Sequence, residues 1–178
     1  MALSAANVMV GRTGAISVAP AGSTAPTDST TALDAAYVDL GYAHTDAVGL
    51  GIDDSTTDIV AWQGGDVVRT LTTQSTYGVN FTLLEAKTAV LSEFFAGSTI
   101  AAGQIDVKSF EPVRKQWVID VDDEGVHWRF SFGAALLVSR GDVDLTRTDA
   151  AGWPFELRAF KDANENFFQI FTDAPGMA

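Results

Sequence analysis

The sequence predicts a mostly β protein made of two packed β-sheets, arranged as a sandwich or barrel, with one flanking α-helix near residues 85–96. Three observations support this fold class. Short segments rich in Val and Thr recur along the chain and are bounded by glycine or other turn residues, as β-strands usually are. Only one segment places its apolar residues at helical spacing. The composition, with 47% hydrophobic and 19% charged residues, is that of a globular protein and not of a disordered chain.

Residues 14–42 contain two strand candidates separated by a loop. Residues 14–19 are small and apolar and end at Pro20. Residues 21–30 are small and turn-forming, which indicates a surface loop. Residues 37–42 alternate between apolar and polar side chains, which predicts a second strand.

A polar stretch rich in Gly and Asp follows, and we predict a long loop over about residues 41–62. A strand signal lies inside that loop, because three apolar residues recur at period two: Val48, Leu50 and Ile52. Beyond a Gly-Gly-Asp turn, residues 67–73 and 79–84 are rich in Val and Thr and predict two further strands.

Residues 85–96 predict the helix. Glu85 lies in the expected first turn and Gly97 directly follows the last apolar residue, which are typical helix boundaries. The apolar residues at helical spacing are Ala86, Val90, Leu91, Phe94 and Phe95. We expect the Phe94–Phe95 end to be buried.

The second half of the chain returns to strands. Residues 116–122 and 126–132 flank an Asp-Glu-Gly turn and predict a hairpin. Alternation in its second strand places three aromatic residues on one face (Trp128, Phe130 and Phe132) and three polar residues on the other (His127, Arg129 and Ser131). An apolar run at residues 134–139 follows, and residues 155–161 and 167–172 predict a last hairpin.

These elements form one domain over residues 1–178, because a second independent core would be cramped in a chain of 178 residues. We predict an N-terminal arm over about residues 1–12 and a short C-terminal tail over about residues 172–178. No segment has the pattern of a signal peptide or the length of a membrane span, so we expect synthesis as a soluble cytoplasmic product.

The charge balance argues against tight nucleic-acid binding. Asp and Glu number 23 against 11 Lys and Arg, which leaves a net charge of −12. Affinity for DNA or RNA comes mainly from lysines and arginines that neutralise phosphates, so an acidic chain is poorly suited to hold a polyanion.

The sequence offers no convincing catalytic or metal site, and we predict no enzymatic activity and no cofactor. The chain has no cysteine and only two histidines, His44 and His127, each in a polar setting. The common hydrolase, metalloprotease and nucleotide-binding motifs are missing. Residues 120–125 resemble the start of a calcium loop, but Ser131 stands where the twelfth position requires Glu. Residues 140–142 spell Arg-Gly-Asp, which are ordinary turn residues.

Several of these segments resemble a known family, the tail tube (major tail) proteins of long, non-contractile-tailed phages, with the closest likeness to phages of actinobacterial hosts. The resemblance rests on residues 14–20, the loop containing Pro26-Thr27-Asp28, and residues 37–42. Residues 59–70 and residues 81–85, which lead into the lone helix, continue it. The match covers most of the chain in order and element type.

The resemblance implies a structural subunit. In that family six copies form a ring, their inner sheets join into a barrel, and the rings stack into a hollow tube that conducts DNA during ejection. It implies that the terminal arms and the loop at residues 41–62 make contacts between rings. The candidate contact residues in and beside that loop are Tyr42, His44, Asp46, Leu50, Asp53, Asp54 and Trp62.

The implied partners are other copies of the chain, the tape measure protein, the tail terminator and the baseplate or distal tail proteins. The implied location is the virion tail, without a membrane. DNA is expected to pass without tight binding, because an acidic lumen repels phosphate. The candidate lumen acids are Asp120, Asp122, Asp142 and Asp144.

Three alternatives remain open at this point. The first is the tube protein of a contractile tail or secretion device, which composition does not separate from a phage tail tube. The second is a surface β-sandwich that binds carbohydrate or a host receptor, and it requires exposed aromatic residues such as Trp117 or Trp153. The third is an enzyme that depends on His127.

Overall fold

A computed structural model describes residues 8–175 as ten β-strands and one α-helix. In chain order the elements are β1 (Thr13–Pro20), β2 (Val38–Asp39), β3 (Ala43–Val60), β4 (Val67–Leu83), α1 (Thr88–Phe94), β5 (Thr99–Ala101), β6 (Gln104–Asp106), β7 (Lys115–Asp123), β8 (Val126–Arg140), β9 (Trp153–Ala159) and β10 (Gln169–Thr172).

Eight of these strands form one continuous antiparallel sheet. Seven follow the order β2-β1-β7-β8-β9-β4-β3, and β10 pairs with β8 beside that path. The short strands β5 and β6 form a separate two-stranded sheet. Because β2 and β3 lie at opposite ends of the strand order, the part of the chain that the structure describes does not close into a barrel.

The sheet folds back on itself at β8, because this strand changes partners along its length. The beginning of β8 pairs with β7 and with β10, and its end, Ala135–Arg140, pairs with β9. We call β2, β1, β7 and the beginning of β8 the first layer, and β3, β4, β9 and the end of β8 the second layer.

The two layers face each other across an aromatic core. The ring of Trp117 in β7 lies 5.9 Å from that of Phe81 in β4 and 6.3 Å from that of Phe155 in β9. In the strand order β7 and β4 are separated by two strands, so these contacts require the layers to stack face to face. The predicted pair of packed sheets is therefore confirmed as two layers of one bent sheet.

The predicted helix exists but is shorter than expected, spanning Thr88–Phe94. Glu85 lies before it, and its carboxylate accepts a hydrogen bond from the backbone N–H of Tyr42 at 2.9 Å instead of capping the first turn. Phe94 is buried as predicted, with its ring 5.1 Å from Trp153 and 5.5 Å from Phe155. The helix thus covers the aromatic core with its C-terminal end.

The prediction of a long loop over residues 41–62 is wrong, because most of this segment forms strand β3. β3 pairs with β4 from Ala43 to Val60, with bulges, and the two strands form a long hairpin. Gly and Asp have low β-propensity, so the segment resembles a loop when it is considered alone. Pairing with the Val- and Thr-rich β4 satisfies its backbone groups and makes it a strand.

The prediction that residues 155–161 and 167–172 form a last hairpin is also wrong. β9 pairs with β4 and β8, and β10 pairs with β8, but β9 and β10 do not pair with each other. Both strands lie along β8, one beyond the other. The connection between them is fixed by Asp162, whose carboxylate accepts backbone hydrogen bonds from Asn164 at 2.8 Å and Asn166 at 2.9 Å.

Arg129 fastens the loop after β1 over the outer face of the first layer. Its side chain is only 7% exposed, and its Nε lies 2.6 Å from Oδ1 of Asp120. The same guanidinium donates hydrogen bonds to the backbone carbonyls of Asp28 at 3.0 Å and Thr31 at 2.8 Å. The face of β8 that we predict to be polar therefore carries the positively charged side chain of Arg129, which is buried under this loop.

Replacing Arg129 with Met is expected to lower the free energy of unfolding by about 2–4 kcal/mol, because Asp120 and two carbonyls would lose their partner. Chemical denaturation of the purified protein measures the change. Arg12→Met is the matched control, since Arg12 pairs with Glu124 at the surface and its loss is expected to cost under about 0.5 kcal/mol. Equal losses in the two variants would contradict the role of Arg129.

Asp28 is expected to titrate abnormally low. Hydrogen bonds from the side chain and backbone of Thr31, and from the backbone of Thr30, lower the pKa of Asp28 from 3.8 to about 2. Because the folded pKa is the lower one, the stability from these bonds is fully present above pH 3.8 and is lost as the pH falls through about 2. An NMR titration of the carboxyl group is expected to show this midpoint. Thr31→Val is expected to raise it and Thr30→Val to leave it unchanged.

Candidate assembly surface

The hairpin of β3 and β4 projects beyond the rest of the sheet. β9 pairs with β4 only over Gly78–Leu83, so among residues 8–175 no third strand pairs with residues 52–77. Each arm of this projecting hairpin extends about 30 Å at the usual rise per residue of a strand. Every residue of the arm from Gly51 to Val60 is exposed.

The tip of the projecting hairpin carries a cluster of exposed apolar side chains. Trp62 is 96% exposed, and Val60, Val67 and Val68 are 54%, 56% and 62% exposed. Single exposed apolar residues are ordinary, but a cluster at the end of a projection marks a contact surface. Our sequence prediction named Trp62 and missed Val67 and Val68, although the Val pair beside a Gly-Gly turn was visible.

The second layer has a free strand edge on each side. At one side β3 pairs only with β4, so its other edge has no partner among residues 8–175. At the other side, pairing between β7 and β8 stops at Ala135, so residues 136–140 of β8 pair only with β9. Free edges present unpaired backbone N–H and C=O groups and are sites where another chain can add a strand.

The residues predicted to make contacts between rings all lie on β3 or directly beside it. Tyr42 precedes the strand and is 77% exposed, and Trp62 follows it. Nδ1 of His44 lies 3.2 Å from a carboxylate oxygen of Asp46. Leu50, Asp53 and Asp54 are exposed farther along the strand. The structure therefore spreads these residues along the hairpin and does not gather them into one site.

The four predicted lumen acids fall into two separate places. Asp120 and Asp122 lie on β7, where Asp120 pairs with Arg129 and Asp122 approaches Nδ1 of His127 at 2.8 Å. Asp142 and Asp144 are exposed in the connection after β8.

The described parts of both predicted arms lie against the first layer. The backbone N–H of Val10 donates to a carboxylate oxygen of Asp123 at 2.8 Å. At the other end, Asp173 accepts a hydrogen bond from the backbone N–H of His127 at 2.6 Å, and Ala174 is buried. Residues 1–7 and 176–178, where the predicted arms also extend, lie outside the described residues.

The tryptophans named for the carbohydrate-binding alternative, and the arginine of the Arg-Gly-Asp motif, are engaged in packing. Trp117 is buried and Trp153 packs at 5.1 Å against Phe94, so neither forms an exposed platform for a sugar ring. The guanidinium of Arg140 lies 4.1 Å over the ring of Phe110 and donates to a backbone carbonyl at 2.8 Å, which removes it from an exposed Arg-Gly-Asp motif.

The described part of the chain also has no candidate metal site and no helix suited to cross a membrane. Across residues 8–175, no group of three or more His, Cys, Asp or Glu side chains could hold a metal ion. No helix there is long and apolar enough to span a membrane.

Comparison with known structures gives the same fold in tube-forming particles. The chain resembles a chain from the tail of an empty gene transfer agent particle refined with C6 symmetry, at 12% identity over 87% of this chain and 96% of that one (TM-score 0.53). It also resembles a chain from the native virion of a gene transfer agent, at 11% identity over 94% and 100% of the two chains (TM-score 0.52).

A third similar chain comes from a structure of an extracellular contractile injection system that shows the sheath/tube terminator in the extended state, at 13% identity over 94% and 99% of the chains (TM-score 0.51). No curated protein sequence matches the chain at a significant level. A family model described as phage tail tube protein matches residues 1–177. Since that match spans nearly all of the sequence, the chain belongs to the phage tail tube protein family.

Proposed function

We propose that this tail tube subunit assembles into rings of six copies, that the rings stack into a hollow tube, and that DNA passes through the tube during ejection. The observation that carries the proposal is the pair of free edges on the second layer. A layer with an open edge on each side can continue into a neighbouring copy in both directions, which is what a closed ring of identical subunits requires.

Strand directions support this ring closure. The second layer contains β3, β4, β9 and the end of β8, and each neighbouring pair is antiparallel. With four alternating strands, β3 and β8 run in opposite directions. A copy related by rotation about the ring axis therefore brings its β3 antiparallel to β8 of its neighbour, and the alternation continues without a break. The C6 symmetry of the similar gene transfer agent tail supports six as the number of copies.

The projecting hairpin is the element suited to join one ring to the next. It extends about 30 Å beyond its last supporting strand. This length is comparable to the body of a domain of this size, whose radius of gyration is about 16 Å. The apolar tip at Trp62 would be buried against the adjoining ring. We propose that Asp53 and Asp54 on the hairpin, and Tyr42, His44, Asp46 and Leu50 before it in the chain, also contact the adjoining ring, together with the N- and C-terminal arms of the chain.

The proposed partners follow from the proposed tube assembly, which has a lumen and two ends. The tape measure protein occupies the lumen during assembly, and the tail terminator and the baseplate or distal tail proteins close the two ends. The protein is synthesised in the host cytoplasm and resides in the virion tail. We propose a purely structural role without catalysis, supported by membership of the phage tail tube protein family.

A tube for a contractile device is the second candidate. The similar chain from the contractile injection system structure shares the fold at TM-score 0.51. Assembly in the presence of sheath protein separates the candidates, because a contractile tube binds a sheath along its outer wall and a non-contractile tube does not.

Replacing both Val67 and Val68 with Asp is expected to prevent stacking without unfolding the subunit. Each valine is more than half exposed, so the change in folding stability is expected to stay within about 0.5 kcal/mol. Loss of apolar burial between rings is expected to raise the concentration needed for tube formation at least about tenfold, which corresponds to 1.4 kcal/mol. Sedimentation and negative-stain microscopy measure this concentration.

Leu145→Asp is the matched control for that experiment, because Leu145 is 85% exposed and lies in the connection between β8 and β9, outside the hairpin. Its tubes are expected to form as readily as those of the unmodified protein. Normal tubes from the double Asp variant would show that the hairpin tip does not join the rings.

A further inference from the structure

The free edge of β8 has a segment of its own chain beside it that does not pair with it. Pairing between β7 and β8 begins at Lys115, which lies opposite Ala135. If β7 extended backward in the same register, Phe110 would lie opposite Arg140 and the free edge would be covered. Residues 107–114 instead form no strand, and within residues 8–175 the part of β8 beyond Ala135 pairs only with β9.

This segment nevertheless stays close to β8. The guanidinium of Arg140 lies 4.1 Å from the centre of the ring of Phe110, the residue that the extended register would place opposite it. At the other end of the segment, the guanidinium of Arg114 lies 4.2 Å from the centre of the ring of Phe160. The backbone N–H of Phe160 donates to the carbonyl of Ala134 in β8 at 2.8 Å. The segment thus runs along β8 without joining its ladder of hydrogen bonds.

Contacts on the core side hold the segment away from the plane of the second layer. The ring of Phe110 packs against the aromatic core, and the backbone N–H of Glu111 donates to the carbonyl of Ala96, just after α1, at 3.0 Å. Gly97 permits this close approach, because a Cβ there would lie 2.6 Å from the backbone carbonyl oxygen of Ser109. The segment is therefore held toward α1, outside the plane in which a partner strand would pair with β8.

Pro112 lies inside this segment and prevents it from completing the missing ladder. In the extended register Pro112 would fall opposite Val138, which is 42% exposed. Proline has no backbone N–H, so it leaves a gap in a ladder of hydrogen bonds and is rare within paired strands. Free strand edges invite pairing with any extended chain nearby, and the chain beside this edge carries the residue that is least able to pair.

We propose that Pro112 keeps the free edge of β8 open for a second copy of the chain, which makes it a residue that determines where subunits join. The inference rests on the ring assembly proposed above, in which β3 of one copy pairs with residues 136–140 of the next. That pairing requires an edge that is still unpaired in the free subunit. Without the proline, the subunit's own chain would extend β7 along this edge and occupy the site of the neighbour.

Pro112→Val tests the proposal, because valine supplies the missing N–H group and favours strands. Hydrogen exchange followed by NMR measures the effect in the unassembled subunit. The amides of residues 136–140 that point away from β9 are expected to exchange more slowly than in the unmodified protein, with the melting temperature unchanged or raised. The concentration needed for tube formation is expected to rise at least about tenfold, since one of the two edges that close the ring is then occupied.

Pro26→Val is the matched control, because Pro26 lies in the loop between β1 and β2, outside both free edges of the second layer. It is expected to change neither the exchange at residues 136–140 nor the concentration needed for assembly. If Pro112→Val does not fold, Pro112→Ala restores the N–H group with a smaller side chain, and the same results are expected of it.

Tubes formed by Pro112→Val at the concentration of the unmodified protein would overturn the inference while leaving tube assembly standing. Loss of assembly without slower exchange at residues 136–140 would also overturn it, because the edge would still be open. Absence of tubes from the unmodified protein would refute the proposed function itself. The exchange comparison between unassembled proteins would then still decide whether Pro112 keeps the edge unpaired.

Discussion

The change of partners along β8 is the constraint on which the rest of the structure depends. This strand of 15 residues pairs with β7 and β10 at its beginning and with β9 at its end. The sheet must therefore bend at β8, which brings Trp117 against Phe81 and Phe155 and creates the aromatic core. The same change of partners ends the β7 pairing at Ala135 and leaves the last residues of β8 as a free edge. The aromatic core and this free edge thus have one origin.

The outer faces of the two layers can differ from each other, because only the inner faces form the core. The first layer is covered by a loop that a buried arginine, Arg129, holds in place. The second layer carries an open depression lined by Gly51 and Gly78, a free edge on each side and a hairpin that extends past its last neighbour. In the proposed tube, the free edges would close the ring and the hairpin would join one ring to the next.

Local patterns in the sequence predicted the elements better than their partners. The period-two alternation in β8 correctly placed Phe132 in the core and Phe130 against it, since burial on one side of a strand leaves that pattern directly, but Trp128 on the same face does not belong to the core cluster. Pairing between distant strands leaves no such trace, which is why the final hairpin was wrongly predicted and β3 was taken for a loop. Burial of Arg129 was equally invisible, because it depends on a loop about 100 positions away in the chain. Four acids were selected by charge alone, without knowledge of the face each occupies.

A helical reconstruction of assembled tubes by electron cryomicroscopy tests the central claim most directly, because it shows how neighbouring copies join. Our account predicts rings of six copies with a continuous antiparallel inner wall, four strands from each copy, in which β3 pairs with residues 136–140 of β8 in the next copy. Rings closed through β2 or β10, or copies held together without any pairing of these two edges, would contradict it.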